Sequence, residues 1–139
     1  MIYLDSCALV KLIHTEVHSR DLVEWLNEDS LLAGPLVSSV LVEIEVVRAL
    51  RRSAPHALSA VPSVIARLHR AQITEIIRAT AAAYLDPRLR SLDAIHLATA
   101  QVLAADAENP LRAFVSYDKR LLDAAEAEGM PVAAPGMLD

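Results

Sequence analysis

Apolar residues along this chain fall into short runs and helical repeats, each closed by polar residues. Residues 2–4 form an apolar run stopped by Asp5 and Ser6, and Leu36-Val37 is a similar pair before Ser38 and Ser39. Both read as buried strands. After Ser39, Val40, Leu41, Ile44, Val47 and Leu50 recur at helical spacing, with Arg48, Arg51 and Arg52 in the last turns, where cations complement the dipole. A further helix is predicted over 56–70, with Pro62 as its boundary or kink because proline removes a backbone donor. Residues 73–77 read as a short strand. Residues 79–85 read as a helical piece closed by Asp86-Pro87, since the residue before proline avoids the helical region. Ser91 is the candidate cap of a helix over 92–105, whose apolar face carries Leu92, Ile95, Ala98, Val102 and Leu103, with Asp93 in its first turn. A strand at 113–115, a helix over 118–128 ended by Gly129, and a last edge strand within 130–134 complete the pattern.

Strands alternating with helices imply right-handed crossovers and an α/β fold: an open, mostly parallel sheet with helices on both faces. No linker, repeat or charge block divides the 139 residues, so a single domain over 1–139 is expected, burying roughly two thirds of its unfolded surface. A hydrophobic fraction of 54% with 3 glycines excludes a disordered chain and favours helix-rich packing. No apolar run approaches the ~20 residues needed to cross a bilayer, and the first residues lack a signal peptide's basic flank. The expectation is a cytoplasmic protein without membrane contact.

Cys7, the single cysteine, can neither form an internal disulfide nor begin a cysteine-based zinc site, and it reads as a small buried hydrophobe. None of the 5 histidines has zinc-protease spacing. His96, one turn beyond Asp93, reads as a satisfied core histidine, with a place at the site as the alternative. A net charge of −5 argues against a surface coated in cations for polyanions, so a nucleic-acid substrate would be held by metal ions and local arginines. Arg48, Arg51, Arg52, Lys119 and Arg120 are the cations within reach, although a solvated helix face is their simpler role.

In such a sheet, ligands bind beyond the carboxyl ends of the strands, and the acids fall there. Asp5 follows the first strand, Glu43 and Glu45 lie in the helix after the second, Asp93 opens a central helix, and Asp118 follows the strand at 113–115. Clustered carboxylates repel, so a divalent cation or raised pKa values must compensate. Magnesium suits oxygen ligands and commonly uses only one or two carboxylates. Singly, each acid has a plainer role: Asp93 and Asp118 complement helix dipoles and Asp5 ends a strand. Their joint placement outweighs it. Glu43 and Glu45 are about 200° apart around their helix, so only one can face the site, and periodicity does not choose between them.

The segments 3–12 (from Tyr3-Leu4-Asp5-Ser6), 45–50 (from Glu45-Val46-Val47), 92–100 (Leu92-Asp93-Ala94-Ile95-His96-Leu97-Ala98-Thr99-Ala100) and 116–121 (from Ser116-Tyr117-Asp118) resemble, in order and spacing, the successive motifs of PIN-domain ribonucleases of the VapC type, the toxins of type II toxin-antitoxin pairs. The resemblance implies an acidic quartet at Asp5, Glu45, Asp93 and Asp118. It makes Asp5 and Asp93 the direct metal ligands, Ser6 and Ser116 supporting residues, and Mg2+ the cofactor, with Mn2+ able to substitute. It implies metal-assisted hydrolysis of RNA, a cognate antitoxin protein as partner, and a homodimer or toxin-antitoxin hetero-oligomer. The choice of Glu45 over Glu43 rests on it alone. Cys7 departs from the family, which often has Ser or Thr there, so any hydroxyl role passes to Ser6 or is absent. Two rivals remain on such a sheet: a magnesium-dependent phosphatase, and a non-catalytic magnesium-binding regulatory module. Against the first, Asp5-Ser6-Cys7 lacks the second aspartate such enzymes carry; against the other, no phosphate-accepting aspartate ends a middle strand.

Overall fold

The computed structural model describes residues 1–28 and 34–138. Strands β1 (Ile2–Leu4), β2 (Leu36–Ser39), β3 (His69–Ala71), β4 (Ala113–Val115) and β5 (Val132–Ala133) form one sheet in the order β3-β2-β1-β4-β5. Every pairing is parallel, where the sequence implied a mostly parallel sheet. β1 lies at the centre because it is apolar at every position, and a strand covered on both faces needs that.

Alternation along the strands then builds two cores. Ile2, Leu4 and Val115 pack on one face with residues of α1 (Ser6–Ile13), α3 (Val42–Ser53) and α4 (Val61–Ile65), among them Leu9, Val42, Val46, Leu50 and Val64. Tyr3, Val37 and Phe114 point to the other face, against Leu97 of α6 (Ser91–Ala104) and Leu121 and Ala125 of α7 (Lys119–Ala127). Helices therefore cover both faces. α2 (Ser19–Glu28) adds Leu22 to the first core, and α5 (Glu75–Ala83) packs against α6.

Several elements differ from the sequence pattern. The helix expected over 56–70 is a 3-10 turn (Pro55–Ala60) followed by α4, with Pro62 in α4's first turn, where its missing N–H costs nothing. β3 takes the end of that segment, and the strand expected at 73–77 does not form. There the Thr74 hydroxyl accepts from the Ile77 N–H at 3.3 Å and starts α5. α5 ends at Ala83, since Tyr84 is extended. Ser91 is the first residue of α6 rather than its cap; Arg90 is the cap and makes no side-chain capping bond. No helix among the described residues is long and apolar enough to cross a membrane.

Candidate active site

Parallel pairing of β1 and β4 brings their carboxyl ends side by side, so Asp5 and Ser116, the residues that follow them, meet. Asp5 is 4% exposed and caps α1, accepting from the Ala8 N–H at 3.0 Å. Ser116, fully buried, donates its hydroxyl to Asp5 Oδ2 at 2.5 Å and accepts from the Asp118 N–H at 3.1 Å. The Cys7 thiol donates to the same carboxylate at 3.1 and 3.2 Å and its sulfur accepts from the Tyr117 N–H at 3.2 Å. Cys7 is thus more than the small hydrophobe its sequence context suggests. Burial pushes the Asp5 carboxyl above its ordinary value, against the opposing pull of His96, Ser116, the Ala8 N–H and Cys7.

Asp93 sits half-buried in the first turn of α6. Its pKa is raised first by burial, then by the Asp118 carboxylate, with smaller contributions from Asp5 and Glu45 and an opposing one from His96. Asp93 therefore feels all three other acids. Asp118 caps α7, accepting from the Arg120 N–H at 3.0 Å, with the Arg120 guanidinium 4.0 Å away. Asp5 and Asp118 do cap helices while Asp93 lies in the first turn of its own, and these roles coexist with the cluster.

The two glutamates of α3 part company. Glu43 is exposed and ion-paired with Arg70, whereas Glu45 is 20% exposed with Oε1 2.6 Å from His96 Nε2. His96, 1% exposed, is both a satisfied core histidine and a neighbour of the acids, since its Nδ1 lies 2.7 Å from the Tyr3 hydroxyl. Sequence reasoning passed over Tyr3; the available signal was a phenol in a central strand, which needs a buried polar partner. Ser6 lines a shallow cavity with Val10, Glu16 and Ala49.

Among the described residues, no three His, Cys, Asp or Glu side chains form a group that could hold a metal ion unaided. The donors near Asp93 are nevertheless carboxylate oxygens in mutual repulsion, and that chemistry fits a hard divalent cation completed by water and phosphate.

Residues 2–127 match the family model described as PIN domain. The chain belongs to the PIN-domain family. It is 54% identical to Ribonuclease VapC35 of Mycobacterium tuberculosis over 98% of each chain, which makes it a VapC-type member. Two solved structures share its fold at a TM-score of 0.71. One is described as a toxin-antitoxin complex from Klebsiella pneumoniae, at 20% identity with 97% of this chain and 98% of that chain covered. The other is Mycobacterium tuberculosis VapC20, described as a Sarcin-Ricin loop cleaving toxin, at 14% identity with 97% and 100% covered.

Proposed function

We propose that this chain is a metal-dependent endoribonuclease, the toxin of a type II toxin-antitoxin pair, with Mg2+ as its cofactor and Mn2+ as a substitute. The observation that carries the reading is Asp93, half-buried and coupled to Asp5, Glu45 and Asp118 at the carboxyl edge of a parallel sheet. Its 54% identity to a ribonuclease supports it.

Asp5 and Asp93 would hold the cation. Asp5 is suited to this because Ser116, Cys7 and the Ala8 N–H fix its carboxylate before any ligand arrives. When bound, the cation supplies charge neutralisation at the scissile phosphate and activation of water. Glu45 and Asp118, outside that pair, orient the attacking water and accept its proton. The expected products carry a 5'-phosphate and a 3'-hydroxyl. Arg48, Arg51 and Arg52 on α3 are exposed and offer cations for the RNA backbone.

The partner is a cognate antitoxin, and the expected assembly is a homodimer or a toxin-antitoxin hetero-oligomer in the cytoplasm. A cavity of about 400 Å³, lined by Leu12, Val23, Leu26, Val64 and Leu68 with Asn27 and Arg67, offers a place for a partner segment. Expression of the chain alone, at verified soluble levels, should arrest growth, and co-expression of the antitoxin should restore it. Unharmed growth would contradict the toxin reading. Sequencing of RNA ends after incubation with the purified chain tests the chemistry separately: 5'-phosphate ends that vanish with chelator support it, and intact RNA contradicts it.

A further inference from the structure

Tyr3, His96 and Glu45 form a buried chain of hydrogen bonds running from the middle of the sheet to the acidic edge. Tyr3 is fully buried on β1 and stacked on Phe114, with ring centroids 5.2 Å apart and planes 3° from parallel. Its hydroxyl meets His96 Nδ1 at 2.7 Å, and His96 Nε2 meets Glu45 Oε1 at 2.6 Å. A carboxylate only accepts, so Nε2 carries the proton; the bond at Nδ1 runs from the phenol whenever the ring is neutral. The imidazole ring stands edge-on to Tyr3, centroids 5.9 Å apart at 76°. Glu45, by contrast, is a long side chain on an amphipathic helix, and its bond to His96 fixes its carboxylate.

We propose that His96, itself held by Tyr3, is a positioning residue for RNA cleavage: it fixes the Glu45 carboxylate at the acidic edge, setting the rate of the chemical step rather than the affinity for RNA. The inference rests on the ribonuclease reading and on Glu45 as orienter or proton acceptor in it. Burial alone requires both ring nitrogens of His96 to find partners; what goes beyond packing is that one of those partners is an acid of the quartet.

His96→Asn keeps an acceptor near Nδ1 for Tyr3 and removes the donor to Glu45, whereas His96→Gln places an amide N–H near Nε2 and restores it. His96→Asn is expected to lower kcat on the order of 10- to 100-fold with KM for RNA unchanged. His96→Gln should recover most of that loss. In a Glu45→Gln background His96→Asn should cost nothing further, because the two act through one carboxylate. Equal losses in both His96 variants, or a fully additive loss in the Glu45→Gln background, would reduce His96 to a packing residue and overturn the proposal. Imidazole 15N spectra of the wild type read the arrangement without any substitution, and a protonated Nε2 whose resonance shifts in Glu45→Gln and in Tyr3→Phe is expected. A bare Nε2 in a protein that cleaves RNA would overturn the positioning role alone, whereas a wild type inert on RNA would overturn the ribonuclease reading and this role with it.

Discussion

Ser116, which follows β4, donates its hydroxyl across 2.5 Å to Asp5, which follows β1, so one buried bond ties the ends of two neighbouring strands at the acidic edge. The same oxygen accepts from the Asp118 N–H and thereby links the start of α7 to the pair. Ser116→Ala removes both interactions, the first of them fully buried. A loss of about 1–3 kcal/mol in urea unfolding is expected, the usual cost of stranding buried polar groups. An unchanged midpoint and slope would mean that Asp5 does not depend on this bond.

Asp5 and Asp93 both have raised folded-state values, Asp5 mainly by burial and Asp93 by burial and then Asp118, whereas the unfolded chain returns them to about 3.8. Above the raised values both are ionised in either state, and the fold bears the cost of burying charge and, at Asp93, of repulsion. As pH falls through the raised values, the native state takes up protons first, so their contribution to stability rises and is complete below the unfolded value. Asp93→Asn isolates one of them. In chelator at neutral pH it should melt at or above the wild type, with the gap closing as pH falls. Mg2+ should raise the wild-type Tm in a concentration-dependent way and raise that of Asp93→Asn much less. A variant clearly less stable in chelator that gains as much from Mg2+ would make Asp93 a complement to the α6 dipole and nothing more.

The two glutamates of α3 should separate cleanly in an assay. Glu43→Gln breaks only an exposed ion pair with Arg70, worth about 0–1 kcal/mol, and should leave cleavage unchanged. Glu45→Gln should lower the initial rate on the order of 100-fold or more, the usual scale for a lost general base. The reverse order, measured at saturating Mg2+, would contradict the placement of α3 at the site.

What the sequence made legible followed from local patterns. β1 and β4 are apolar throughout, α3 and α6 carry helical repeats with acids or cations at the fitting ends, and α7 opens on its Asp118 cap. α1 escaped because residues 6–13 are nearly all apolar, and a continuous run has no period to read. β3, His69-Arg70-Ala71, has no strand pattern, since it is an edge strand held by backbone pairing to β2, while Ile73, Ile76 and Ile77 nearby imitate one. The positions of Asp5, Asp93 and Asp118 after strands and at helix starts were equally legible. The choice between Glu43 and Glu45 was not, because His96, the group that engages Glu45, is 51 residues away in the chain.

The central claim is that Asp5 and Asp93 hold a divalent cation that the cleavage of RNA requires. Its most direct test is the initial rate of RNA cleavage by the wild type, Asp5→Asn and Asp93→Asn at saturating Mg2+, with circular dichroism confirming the fold of each. Asparagine still accepts from the Ala8 N–H at the start of α1, and Asp93 caps no helix, so both variants should fold. The account predicts cleavage by the wild type that chelator abolishes and Mn2+ restores, and none by either variant. Undiminished cleavage by a folded Asp5→Asn or Asp93→Asn protein would contradict it.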